Sequence, residues 1–143
     1  MSLDPDCVFC NIIKDNSLAS IVYKDELCSA FMDIQPVNPG HVLIIPNKHV
    51  ELIADLDDET SSRMFIIANR INRAIRKSSI KCEGINYFLA DGEAAGQEVF
   101  HAHLHCFPRL RNDGFRLVFS EDYKNRPPGD VLKKIAEEIR MKL

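Results

Sequence analysis

Residues 99–108 place a histidine at every second position: His101, His103 and His105, separated by Ala102 and Leu104 and followed by Cys106. Successive side chains leave a strand on opposite faces, so a period of two is the mark of an extended chain with one buried side. The pattern predicts a single strand through all three histidines, with Ala102, Leu104 and Cys106 in a core. The imidazoles then stand in a row on the other face. Such a row gains little from burial, so its purpose is chemical. The chain has 5 histidines, and the remaining two, His41 and His49, bracket a second apolar run over 42–46.

The rest of the pattern supplies a frame for that row. Ile21, Val22 and Tyr23 form one strand and residues 27–32 another, around the polar turn Lys24, Asp25 and Glu26. The loop 35–40 holds two prolines, Pro36 and Pro39, and ends at Gly40 before the buried strand 41–46. A long helix runs from the N-cap Asp57 to Lys77, with Met64, Ile67, Ala68, Ile71 and Ala74 at helical spacing. Residues 85–89 read as a strand, 91–96 as a turn, and 7–13 as a helical turn. Val131, Ile135 and Ile139 share one face of a closing helix. The order predicts an α+β fold: an antiparallel sheet of about five strands, with the long helix and the terminal helices packed on one face. Residues 1–143 make a single domain, with a flexible stretch over 1–6 and a C-terminal extension with a helix over 110–143. An exposed sheet edge predicts a homodimer.

Composition removes several classes of function. The chain of 143 residues is 45% hydrophobic and 27% charged, with a formal net charge of -3, so no global field draws nucleic acid to it. No apolar run approaches the roughly 20 residues that span a bilayer. The acidic N-terminus lacks the basic and apolar regions of a signal peptide. The 5 cysteines are odd in number and fit reduced thiols, which gives a cytoplasmic expectation with no membrane partner.

Cys7 and Cys10 are spaced as a redox pair, as half of a zinc site, or as two unrelated thiols. A closed structural zinc site needs four thiolate or imidazole ligands, so the pair alone is incomplete.

The run Gly96, Gln97, Glu98, Val99, Phe100, His101, Ala102, His103, Leu104, His105 resembles the signature of the histidine-triad (HIT) family of nucleotidyl hydrolases and transferases. Phe31, Met32, Asp33 and Ile34, followed by Pro39, Gly40, His41 and, after 42–46, His49, look like its second block. Phe9, Ile12 and Ile13 look like its first. The resemblance, to zinc-bearing bacterial-type members, implies a purine nucleotide substrate attacked at its α-phosphorus by His103. It implies that His105 holds a phosphate oxygen or the leaving group and that His41 supports the row. Gln97 would bind phosphate, and Glu98 stands where other branches carry a hydroxyl that helps the leaving group. Asp33 would hold the ribose, and Phe9, Phe31 and Ile34 would line the base pocket. Zinc-bearing relatives recruit the histidine after the second block and the first of the triad, so the implied structural zinc ligands are Cys7, Cys10, His49 and His101. Two other readings stand beside this one: a metal site that activates water, and a nucleotide-binding or interaction module without turnover.

Overall fold

In the computed structural model, which describes residues 3–143, the polar turn at Asp25 joins β1 (Ile21–Lys24) to β2 (Cys28–Met32). The Asp25 carboxylate organises it. Oδ1 accepts from the backbone N–H of Leu27 at 2.9 Å and of Cys28 at 2.8 Å; Oδ2 accepts from Tyr23 Oη at 2.8 Å and Arg63 Nε at 2.7 Å. Arg63 belongs to the long helix, so the turn is pinned to the helix by a charged pair rather than left in solvent.

β3 (Val42–Pro46), β4 (Gly84–Phe88) and β5 (Leu104–Arg109) complete a sheet of 5 strands in the order β1-β2-β3-β5-β4, antiparallel at every pairing. The expected antiparallel α+β fold is therefore present. The histidine strand is shorter than the alternation predicts: β5 begins at Leu104, and His101 and His103 lie in the segment ahead of it. The cause lies on β3. Its ladder with β5 ends at Ile44↔Leu104. Continued in that register, it would set Pro46, which has no N–H to give, against Ala102. The Pro46 carbonyl is occupied too, by the His101 side chain at 2.8 Å, and Ala102 N–H donates instead to Val50 O at 2.7 Å.

α2 (Asp58–Lys77) begins as its sequence predicts, with Asp57 accepting from Thr60 N–H at 2.9 Å. It buries Met64, Ile67, Ala68, Ile71 and Ile75; Ala74, assigned to that stripe from spacing, is exposed. These side chains meet Cys28, Ala30, Val42, Ile44, Leu104 and Cys106 from one face of the sheet. α1 (Val8–Lys14) departs from the expectation that all helices share that face. Its Phe9, Cys10 and Ile12 pack with Phe31, Leu43 and Ile45, the alternate positions of the same strands. Alternation in β2 and β3 gives the sheet two apolar faces, and the second needs a cover.

The described chain divides into two compact units, Met1–Asp113 and Gly114–Leu143. The second carries α3 (Gly129–Arg140), an amphipathic helix with Val131, Ile135 and Ile139 at helical spacing. Among the described residues no helix is long and apolar enough to cross a membrane. Of the stretch 1–6, residues 1–2 lie outside the described residues, and Asp4 makes hydrogen bonds to Asp6 and Cys7.

Burial pushes the Asp25 carboxyl up, but the donors from Cys28, Arg63, Tyr23 and Leu27 outweigh it and hold its pKa at about 2. The folded value lies below the unfolded one of about 3.9, so the contribution is complete above pH 4 and is lost as pH falls through 2. Asp25→Ala is expected to cost about 2–3 kcal/mol at pH 7, the scale for losing hydrogen bonds to a buried charge. Urea unfolding at pH 7 and pH 2 checks this, since the gap between variant and wild type must narrow at the lower pH.

Candidate active site and metal centre

Gly40 delivers His41 to the start of β3 in a conformation that a side chain would strain. Its φ is +99°, and a Cβ there would meet Ile80 and Pro108 carbons at 3.0 Å. The loop it closes turns Val37 N–H onto His41 Nδ1 at 3.0 Å. A ring nitrogen that accepts from a backbone N–H leaves the proton of the neutral imidazole on the other nitrogen. His41 Nε2 therefore donates to His105 Nδ1 at 2.9 Å, and His105 in turn carries its proton on Nε2. Asp33 Oδ2 lies beside the pair, 3.5 Å from His41 Nε2 and 3.9 Å from His105 Nδ1. Its Oδ1 accepts from Gln35 N–H at 2.8 Å.

His103 is set by a different backbone group. Its Nδ1 donates to the His101 carbonyl at 2.7 Å, which leaves the lone pair on Nε2. Burial lowers its pKa. Burial also lowers His105, helped by His103 and His41, to about 4, and it lowers His41 against the opposing pull of Asp33. All three rings are neutral at pH 7. The site thus holds one imidazole with a free lone pair next to another with a free N–H donor, their ring centroids 5.0 Å apart.

His101 belongs to a second cluster. Its Nε2 donates to the Pro46 carbonyl at 2.8 Å, so Nδ1 holds the lone pair, 3.5 Å from Cys7 Sγ and 3.6 Å from Cys10 Sγ. His49 Nδ1 approaches Cys10 Sγ at 3.2 Å. The ligand atoms of Cys7, Cys10, His49 and His101 all lie within 4.8 Å of one another. Two thiols and two imidazole nitrogens at this spacing fit a closed tetrahedral zinc site, with the second nitrogen of His101 tied to a carbonyl as such sites require. Burial drives the Cys10 thiol up to about 11. Cys28 and Cys106, both pushed up to about 12 chiefly by burial, are core thiols.

Asp33, His41 and His105 also place three ligating atoms within 4.8 Å of one another. The Val37 hydrogen bond argues against a metal there, since a ring that accepts on Nδ1 has no lone pair on Nε2 unless it ionises to imidazolate.

Phe9 joins the two clusters, its ring edge-on to Phe31 at 5.4 Å, to His103 at 5.2 Å and to His101 at 5.9 Å. Phe9 and Phe31 are buried, whereas Ile34 is 96% exposed. The Gln97 amide is engaged within the protein: Oε1 accepts from Gly92 N–H, and Nε2 donates to the carbonyls of Glu51 and Val99. It closes the loop ahead of the histidines, while Glu98 is exposed. Two neighbours escaped the sequence reading. Phe88, paired with His105 across β4 and β5, places its ring 5.7 Å away. Asp4 lies against His49, with Oδ2 3.9 Å from Nε2. The acid three residues before Cys7 was the available signal for Asp4, whereas Phe88 is visible only once the register is known.

The HIT domain family matches residues 14–112. An uncharacterised HIT-like protein of Borreliella burgdorferi is 38% identical over 96% of this chain and 99% of its own. The adenylylsulfatase HINT3 of Arabidopsis thaliana is 35% identical over 78% of this chain and 56% of its own. A HIT family protein of Bacillus anthracis superposes with a TM-score of 0.88 at 38% identity, covering 97% of this chain and 98% of that one. A zinc-bound histidine triad family protein of Mycobacterium smegmatis superposes at 0.71 with 37% identity, covering 96% and 98%. With its family match, its sheet and its imidazole row in agreement, this chain belongs to the HIT family.

Proposed function

We propose that the protein is a nucleotide hydrolase or nucleotidyl transferase acting through a covalent nucleotidyl-histidine, on a nucleoside phosphoramidate or dinucleoside polyphosphate. The observation that carries the reading is the 2.7 Å hydrogen bond from His103 Nδ1 to the His101 carbonyl. It fixes the tautomer in which Nε2 is the nucleophile. Nε2 forms a bond to the α-phosphorus as the bond to the leaving group breaks, and the electron pair departs with that group. The ring becomes an imidazolium whose Nδ1–H stays on the carbonyl, and the Asp33 charge favours that cationic form. His105 Nε2–H, held outward by the His41 relay, donates to a phosphate oxygen as its charge grows. Water then attacks phosphorus and the P–N pair returns to Nε2.

The substrate in this reading is a purine nucleotide, with Asp33 accepting from the ribose. Exposed Glu98 stands where other branches carry a hydroxyl that helps the leaving group, and a homodimer is the working assembly because β4 is an edge strand. The relative from Arabidopsis thaliana named adenylylsulfatase supports chemistry on adenylates as a class. Cys7, Cys10, His49 and His101 would hold one structural zinc. Its contribution is to cross-link α1 to the segment bearing His103.

His103→Ala is expected to remove turnover by several orders of magnitude and to leave nucleotide affinity near wild type, because a nucleophile acts in the transition state. Single-turnover rates and equilibrium binding on the same preparations check it. Substantial residual turnover would take His103 out of that role, and binding by wild type without turnover of phosphoramidates, adenylates or dinucleoside polyphosphates would favour the non-catalytic module.

Asp33→Asn is expected to cost roughly 1–3 kcal/mol of affinity for a ribonucleotide and less for its deoxy analogue, which already lacks one of the hydroxyls. Titration of both ligands against both proteins decides. Equal losses would confine Asp33 to its contacts with His41 and His105.

Elemental analysis is expected to give one zinc per chain in wild type and much less in Cys7→Ser. Chelation should lower the melting temperature, since the ion binds only the folded chain. Wild type grown with added zinc yet free of stoichiometric metal would end the zinc reading.

A further inference from the structure

We propose that Asp4 is a positioning residue for the zinc site, orienting His49 with its carboxylate while its main chain closes the Cys7 and Cys10 knuckle; this rests on the zinc reading above. Two contacts of one residue carry the inference. The Asp4 carbonyl accepts from Cys7 N–H at 3.2 Å. Its carboxylate is steered by Asp6, whose N–H donates to Oδ1 at 2.9 Å, so that Oδ2 faces His49 Nε2 at 3.9 Å. One residue outside the ligand set thus touches two of its four members, one from each class of ligand.

The chemistry of His49 explains why an acid belongs there. The nitrogen facing the cluster is Nδ1, 3.2 Å from Cys10 Sγ. When Nδ1 gives its lone pair to a cation, Nε2 bears the proton, and positive charge spreads onto that N–H. A carboxylate on that side fixes the ring plane and makes the ligating nitrogen more basic, the common outer-shell arrangement of histidine zinc ligands. The 3.9 Å separation exceeds a hydrogen bond, so the contact is one of charge. The two histidine ligands are therefore held differently. His101, fully buried, is oriented by the neutral Pro46 carbonyl at 2.8 Å. His49 lies at the rim, its side chain 18% exposed, and is oriented by the charge of Asp4, itself 44% exposed. The effect of Asp4 therefore falls on how tightly His49 holds the metal.

The experiment uses the full chain and zinc itself, in competition with a chromophoric chelator, on wild type, Asp4→Asn and Asp4→Ala. Asparagine keeps an acceptor for Asp6 N–H and the backbone contact with Cys7, and removes only the charge; alanine removes the acceptor too. The expected result is zinc affinity weakened about tenfold in Asp4→Asn, and at least as much in Asp4→Ala. The melting temperature of chelated Asp4→Asn should equal that of chelated wild type. Affinity of Asp4→Asn indistinguishable from wild type overturns the inference, even if Asp4→Ala is weak, because Asp4 is then a turn cap. A zinc-free melting temperature that falls as far as the zinc-loaded one also overturns it. Absence of zinc binding by wild type overturns the zinc reading and this inference together.

Discussion

The hydrogen bond from His101 Nε2 to the Pro46 carbonyl decides what both halves of the imidazole row can do. It occupies the acceptor that would otherwise continue the β3 ladder, so the chain ahead of β5 leaves the sheet and His101 turns its other nitrogen toward the two thiols. The same departure exposes the His101 carbonyl to His103 Nδ1. Two adjacent rings are thereby held in opposite tautomers, one offering Nδ1 and the other Nε2. A regular strand would keep that carbonyl in its ladder and leave the tautomer of His103 open. The irregularity at Pro46 is therefore what gives His101 and His103, two residues apart, opposite free nitrogens.

Burial of these rings has a cost that fixes their protonation. His101 and His105 are held neutral down to about 4, in both cases chiefly by desolvation. A neutral imidazole buried without a partner would waste a donor, yet among the described residues no buried side-chain nitrogen or oxygen lacks one. His101 and His103 donate to backbone carbonyls and His41 donates to another ring, so for these three neutrality and satisfaction are achieved together. The carboxylate of Asp33 works in the other direction. It raises the tendency of His41, His103 and His105 to protonate, against burial. Rings neutral at rest beside one fixed negative charge suit a reaction in which a neutral ring becomes cationic transiently.

Much of this was legible in the sequence because it is local. The N-cap at Asp57 and the helical stripe from Met64 to Ile71 need only a window of 15 residues. The alternation of histidines correctly put their rings on one face. Its length as a strand was overestimated, because the end of a ladder depends on the partner, and Pro46 lies 56 positions from Ala102. The face chosen by α1 was hidden for a related reason. β2 and β3 are apolar at consecutive positions, and such runs do not say which helix covers which side. The pairing of Arg63 with Asp25 over 38 positions has no local signature. The Gln97 side chain illustrates a third limit: a motif residue near phosphate chemistry spends its amide on Gly92, Glu51 and Val99.

Phe9 ties these strands of argument to stability. It lies on α1, one residue before Cys10, and meets His101 and His103 edge-on while packing on Phe31 in β2. Edge-to-face contacts let a ring grip neighbours on several sides without competing for their hydrogen bonds. The helix that brings the thiols to His101 therefore also wedges His103, and neither task can be lost without disturbing the other. That coupling explains why a helix of 7 residues, far too short to persist alone, keeps a defined place on the sheet. Its anchorage comes from buried side chains on one flank and from the cysteine and histidine cluster at its start. The geometry of the imidazole row is in this sense a by-product of how α1 is held.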